Sequence, residues 1–173
     1  PVIMSEGGRY YLDEDRPQSS GKIREFWGNV PQVVKAYAWA RAMGAAGINE
    51  GSDLSVLANN YMDKKIGEIR GVEKSHPGLT QWRMEMTRWG LGPMKEETGV
   101  GTVDVANRMA DYGIDPWWMS HEPWVVAEPF TPEAGELWSI EDIDTWIAVV
   151  AKISEEAYTN PELVTTAPHN QAI

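Results

Sequence analysis

Asn29-Val30-Pro31-Gln32-Val33-Val34-Lys35-Ala36-Tyr37-Ala38-Trp39-Ala40 is the stretch from which the fold can be read. Asn29 has the side chain of a helix N-cap, and Pro31 falls in the first turn, where a missing N–H costs nothing. Val33, Tyr37 and Ala40 then recur at i, i+4 and i+7, the spacing of one helical face. Gly44 and Gly47 mark a break. A second helix is predicted from Ile48 to Ile66, with Leu54, Leu57, Ala58, Tyr61 and Met62 on one side. So short a connection predicts an antiparallel helical pair over residues 30–68.

Outward from this pair the pattern changes. Upstream, residues 1–29 lack helical periodicity. Tyr10-Tyr11-Leu12 reads as a short strand, and Asp13 to Gly21 as a polar, turn-rich linker. Downstream, Gln81 to Trp89 alternates weakly and predicts a strand, Gly90 to Pro93 a turn, and Lys95 to Thr98 a polar connection. Thr102 is placed as the cap of a helix from Val103 to Tyr112, closed by Gly113. Trp124 to Ala127 reads as a buried strand and residues 130–138 as an acidic loop. Ser139 with Asp142 makes a capping box for a long helix from Ile140 to Tyr158, and Asn160-Pro161 begins a final turn. Residues 69–173 therefore form a small α+β domain, helices covering one face of a small sheet.

Composition narrows the chemistry. The 173 residues suffice for one well-cored domain. With no cysteine, disulfides, zinc–thiolate sites and thiol catalysis are excluded. The longest strongly apolar run, Trp146 to Ala151, is far too short for a bilayer, so the expectation is a cytoplasmic protein with no membrane partner. Nine Trp stand against two Phe. Large rings with a polar N–H suit either a tryptophan-lined core or a surface covered by a partner. Residues 1–114 carry 15 acidic and 14 basic side chains, whereas residues 115–173 carry 11 acidic ones and a single basic one, Lys152. Phosphate binding demands clustered Lys and Arg, so nucleic acid is not an expected partner. The acidic lobe is either a solvated face or a match for a basic subunit.

No active site emerges from spacing alone. His76, His121 and His169 are far apart, so no metal site is expected, and no phosphate loop or nucleophile elbow is present. One segment is richer. From Asp15 to Arg24 the chain gathers Arg16, Ser19, Ser20, Gly21, Lys22 and Arg24 just before Phe26-Trp27-Gly28-Asn29. Such donors running into a helix N-terminus suit an anionic group, though an ordinary polar linker has the same look.

That segment also resembles the P-protein of the glycine cleavage system, the pyridoxal-phosphate glycine decarboxylase. The matching residues are Asp15-Arg16-Pro17, Ser19, Gly21, Ile23-Arg24, Phe26, Gly28-Asn29, Val34, Ala36-Tyr37-Ala38 and Gly44. Four further matches follow in the family's order. They are Ser52 with Val56 to Met62, Gly101 to Ala106 with Asp111-Tyr112-Gly113, Glu128-Pro129, and Asn160 to Val164 with Ala167-Pro168-His169. The resemblance spans nearly the whole chain. It implies the C-terminal small domain of a fold-type I enzyme, preceded by the linker and helical pair. The family binds glycine through pyridoxal phosphate, releases the carboxylate as CO2 and passes the aminomethyl unit to a lipoyl carrier protein.

The family's cofactor-binding lysine lies upstream of the matched region, so no catalytic residue is expected in this chain, and activity is expected only with a lysine-bearing subunit or domain. The resemblance points to Arg16, Ser19, Ser20, Arg24, Asn29 and Arg83 as residues near substrate or cofactor, since a guanidinium matches a carboxylate or phosphate bidentately. Two motifs depart from the family. Its MHEF reads Arg83-Met84-Glu85-Met86 here, and the histidine of its FHPP is Asp115, followed by Trp117-Trp118. A related enzyme acting on another amino acid, or a non-catalytic structural subunit, therefore stands beside the glycine decarboxylase reading.

Overall fold

The computed structural model describes residues 2–19, 21–22, 28–84, 86–115, 118–120 and 125–169. The chain divides into two units, residues 1–44 and 45–173. In the first, strands β1 (Val2–Glu6) and β2 (Arg9–Asp13) pair antiparallel, from Val2 opposite Asp13 to Glu6 opposite Arg9. The single strand expected at Tyr10 to Leu12 is thus one arm of a hairpin. Its two-residue turn, Gly7-Gly8, has positive φ at both positions, which a β-branched or bulky residue would not accept. Helix α1 (Val30–Ile66) starts where Asn29 predicts it and is interrupted at Gly44, whose φ of 60° and ψ of −179° are not helical. Gly47 lies within the helix rather than in a break.

The second unit holds the core. Strands β3 (Glu73–Lys74), β4 (Trp89–Gly90), β5 (Trp118–Met119) and β6 (Pro129–Thr131) form an antiparallel sheet in the order β3-β4-β6-β5. Around it stand α2 (Gly92–Thr98), α3 (Thr102–Asp111), α4 (Ile140–Thr159) and α5 (Pro161–Thr165), with α4 packed against the other three. The α4 register explains this: Ile143, Trp146, Val150, Ile153 and Ala157 follow at alternating three- and four-residue steps and are all buried. They meet Met62 and Ile66 of α1, Met94 of α2, Val105 and Met109 of α3 and Phe130 of β6 in one cluster. The fold is a small α+β domain with two small sheets.

Several boundaries differ from expectation. Among the described residues of the predicted strand 81–89, only Trp89 is in a strand. Trp82 and Met84 alternate with polar neighbours as a strand would, but both are 81% exposed, so nothing among the described residues rewards the pattern. Gly92–Thr98 is helical rather than a turn and a polar connection, because Pro93 sits in the first turn and Gly99 closes the end in the left-handed region. Thr102 is the first helical residue of α3 and Gly101 its N-cap. Val125 to Ala127 are bends, and the strand comes two residues later, at Pro129–Thr131, which takes the start of the predicted acidic loop. Trp124 lies outside the described residues. The Ser139–Asp142 box is present, Ser139 Oγ accepting from the Asp142 N–H at 3.0 Å and Asp142 Oδ2 accepting from the Ser139 N–H at 3.1 Å. The final turn is the short helix α5.

Candidate functional site

Of the six residues expected near substrate or cofactor, Ser20 and Arg24 lie outside the described residues. Arg16 and Ser19 share one turn, the Ser19 N–H donating to the Arg16 carbonyl at 2.9 Å. Arg16 Nε also pairs with Asp13 at 2.8 Å, so its charge is partly spent locally. Ser19 Oγ accepts from the Gly21 N–H at 3.1 Å. Asn29 Oδ1 faces the Gln32 N–H at 3.4 Å, the direction of an N-cap. These three belong to the first unit and Arg83 to the second.

Arg83 is the best-placed of the six. Asn60, on α1, holds its backbone at both ends: Asn60 Nδ2 donates to the Arg83 carbonyl at 2.6 Å, and Asn60 Oδ1 accepts from the Arg83 N–H at 2.9 Å. The guanidinium reaches the His76 carbonyl at 3.5 Å, and among the described residues no carboxylate pairs with it. Glu85 lies outside the described residues. An arginine fixed through its backbone, half-exposed and flanked by Trp82 and Met84, can accept a carboxylate beside apolar surface.

A second cluster joins α3, α4 and the end of the chain. Arg108 clasps Glu156 bidentately, Nε to Oε2 at 2.9 Å and Nη2 to Oε1 at 3.1 Å, and its Nη1 reaches Asp111 Oδ2 at 2.9 Å. The Tyr112 hydroxyl donates to Glu156 Oε1 at 2.6 Å. Arg108 holds the Glu156 carboxyl below its usual range, while loss of water and then the bond to Glu156 push the Tyr112 phenol up. His169 closes the cluster. Its backbone N–H donates to Asp111 Oδ1 at 2.7 Å, and its Nδ1 lies 2.8 Å from Asp111 Oδ2 and 3.2 Å from Arg108 Nη1. Sequence reading saw the Asp111 and His169 motifs separately; only folding shows that they bond to each other.

This clasp anchors α3 just before Gly113 to Asp115, which line a cleft of about 570 Å³ with Thr131, Glu133, Asp142 and Trp146. Its carboxylates face a mouth without a basic side chain among the lining residues. His121, Glu122 and Trp117 lie outside the described residues. Among the described residues no group of His, Asp or Glu could hold a metal, and no helix is long and apolar enough to cross a membrane. The lysines are engaged or peripheral. Lys22, Lys74, Lys95 and Lys152 each pair with a carboxylate, Lys65 lies over the Tyr61 ring, and Lys35 and Lys64 are exposed.

Sequence comparison finds relatives along almost all of the chain. A protein from Pyrococcus horikoshii named probable glycine dehydrogenase (decarboxylating) subunit 2 is 42% identical over 168 residues, covering 97% of this chain. The relative of the same name from Caldanaerobacter subterraneus is 37% identical over 174 residues, covering all of it. Over nearly its whole length the chain is similar to part of the glycine dehydrogenase (decarboxylating) subunit 2 proteins. It spans about a third of the length of these relatives, 33% and 34% respectively. A third subunit 2, from Thermosipho africanus, is 34% identical over 173 residues. No protein-family model matches the chain.

Proposed function

We propose that this chain forms the C-terminal part of a pyridoxal-phosphate-dependent glycine-decarboxylating enzyme and completes an active site whose cofactor-bearing lysine lies on another polypeptide or domain. The observation that carries the reading is the match along 97% of the chain to one third of a subunit 2 protein. In this reading residues 1–29 are an interface segment, 30–68 a helical pair and 69–173 the small α+β domain of a fold-type I enzyme, working in the cytoplasm. The lysines described above stand on surfaces or in ion pairs, which supports a cofactor-bearing lysine outside this chain.

What the chain contributes is orientation and shelter. Arg83, presented by Asn60, takes an anionic group of the substrate, and Arg16, Ser19, Ser20, Arg24 and Asn29 are the further candidates for contact with substrate or cofactor. Loss of a carboxylate as CO2 is favoured where bulk water is excluded, and a covering domain supplies that exclusion. The aminomethyl unit would pass to a lipoyl carrier protein. Much of the first unit's apolar surface supports a missing partner: Val33, Val34, Tyr37 and Trp39 of α1 and Ile3, Tyr10 and Leu12 of the hairpin are exposed. A two-stranded hairpin without a covered face is marginal in water.

A second reading, a related enzyme acting on another amino acid, is favoured by Asp115, which brings an acid to the mouth of the cleft where the family has a histidine. A carboxylate there suits a substrate with a cationic side chain. The test is reconstitution of the chain with its lysine-bearing polypeptide, followed by assay of CO2 release from glycine and from a panel of other amino acids. Glycine turnover that needs both polypeptides supports the first reading, and selective turnover of a basic amino acid supports the second. A complex that binds no pyridoxal phosphate and turns over neither leaves a structural subunit.

A further inference from the structure

Leu54, Leu57, Ala58 and Tyr61 of α1 face Gly135, Trp138, Ile140 and Ile143 across an apolar groove of about 380 Å³. Two hydrogen bonds brace its walls. Near one end the Ser55 hydroxyl is shared between Glu136 at 3.0 Å and the Gly51 carbonyl at 2.9 Å; six residues further along α1, the Tyr61 hydroxyl donates to Asp144 at 2.7 Å. The groove is therefore preformed over roughly 9 Å of helix. It is also uncovered: Leu57 is 67% exposed, Leu137 beside it 90%, and Ile140 55%.

Charge selects what can cover it. Glu136 and Asp144 stand at the two braces, and the exposed Glu141 directly follows Ile140 of the groove wall on α4. Trp138 lines both this groove and the neighbouring cleft, whose acids are Asp115, Glu133 and Asp142. Lys152 is the only basic residue in the last 59 positions, and Lys65 the nearest cation on α1, already over the Tyr61 ring. An apolar trough inside an acidic rim excludes an acidic partner and fits an amphipathic segment whose apolar anchors are flanked by Lys or Arg. The relatives supply a place for such a segment, since two thirds of their length lies outside the matched region.

We infer that this groove docks a lysine- or arginine-flanked amphipathic helix of the lysine-bearing polypeptide. The inference rests on the reading proposed above and adds to it the face used and the chemistry of the occupant. Tight fit comes from the apolar row and orientation from the rim charges.

The experiment uses the complex of the chain with that polypeptide, titrated at low and high salt. Carbodiimide cross-linking then maps which carboxylates meet partner lysines. Leu57→Asp, on an exposed helical position, is expected to weaken association about tenfold or more while leaving the melting temperature unchanged. Glu133→Lys with Glu141→Lys should weaken it and flatten its salt dependence, and cross-links should fall on Glu133, Glu136 or Glu141. Glu162→Lys, on α5, serves as the control. If the complex forms and all variants bind within about twofold of the parent, with cross-links elsewhere, the groove is not the dock although the proposed function stands. If no complex forms, both fall. A homodimer broken by Leu57→Asp would make a second copy the occupant and overturn the inference.

Discussion

Asn60 and Arg83 are joined by two hydrogen bonds in which the Asn60 amide takes the place of a neighbouring backbone, donating to the Arg83 carbonyl at 2.6 Å and accepting from its N–H at 2.9 Å. A third bond, from Asn60 Nδ2 to the Val56 carbonyl at 2.7 Å, ties the amide to its own helix. Asn60→Ala leaves the Arg83 backbone without these partners, at an expected cost of about 2 kcal/mol. Urea unfolding reads the loss, and hydrogen exchange at Arg83 should rise by more than the global change. Asn60→Asp keeps the acceptor but sets a carboxylate oxygen against the Val56 and Arg83 carbonyls, so it should recover nothing at neutral pH. In the assembled enzyme, Asn60→Ala should raise the substrate KM if Arg83 takes the substrate's anion. An unchanged KM with the same stability loss would assign Asn60 to folding alone.

The clasp between Arg108 and Glu156 sets an acid limit. Both side chains are largely buried, and Arg108 lowers the Glu156 pKa below its ordinary 4.5. A lowered pKa means that the unfolded chain binds the proton more readily. The stabilisation is therefore complete above about pH 4.5 and is lost as pH falls through the lower folded value. Glu156→Gln removes the charge and leaves Arg108 with Asp111, for an expected loss of about 3 kcal/mol at neutral pH. Melting should shift down by roughly 6–12 °C. The mutant's melting temperature should also fall less steeply between pH 5 and pH 3 than the parent's, to the extent that Glu156 drives that fall.

Much of the fold was legible because its signals are local. The Ser139–Asp142 box and the three- and four-residue steps from Ile143 to Ala157 specify α4 without help from elsewhere. The sheet was not legible, since β3, β4 and β5 are two residues long and β6 three, too short for alternation to register. Residues 82–84 misled for another reason: their apolar side chains alternate as if for a core that the described residues do not supply. At the site, Arg83 could be named from its motif, but its support by Asn60 spans 23 residues and has no sequence signature. Asp111 and His169, 58 residues apart, are the same case.

Glu128 gives a third prediction. Its φ of 50° is an uncommon conformation for a side chain of its size. The compensation lies at the start of α3, where Gly101 has no side chain to cap with. Glu128 Oε2 accepts from the Thr102 N–H at 2.8 Å, and Asp104 Oδ2 accepts from the Gly101 N–H at 2.8 Å. Glu128 thus caps a helix distant in sequence, its charge at the positive end of the helix dipole. Glu128→Ala should cost about 1–2 kcal/mol, and Glu128→Gln, which keeps the acceptor, about half as much. Glu128→Gly should fall between Ala and the parent, because glycine relieves the backbone strain while losing the cap. Chemical denaturation of the three variants orders them.

Gly90 is the place where the sheet leaves no room. A Cβ built there would stand 2.5 Å from the Ala127 carbonyl oxygen and 3.0 Å from Val126 Cγ2. The carbonyl is backbone and cannot rotate away, so Gly90→Ala must push β4 from the segment that precedes β6. Trp89, buried beside Gly90 and opposite Phe130 of β6, would be carried with it. Overpacking of this kind costs about 1–3 kcal/mol, and the upper half of that range is expected here because a main-chain atom is the obstacle. Gly135→Ala, with open space around its Cβ, is the matched control and should change stability by less than about 0.5 kcal/mol. Thermal melts of the two variants decide the point. Equal, small shifts would mean that β4 moves freely against β6 and that the pairing of Trp89 with Phe130 contributes little to holding the sheet.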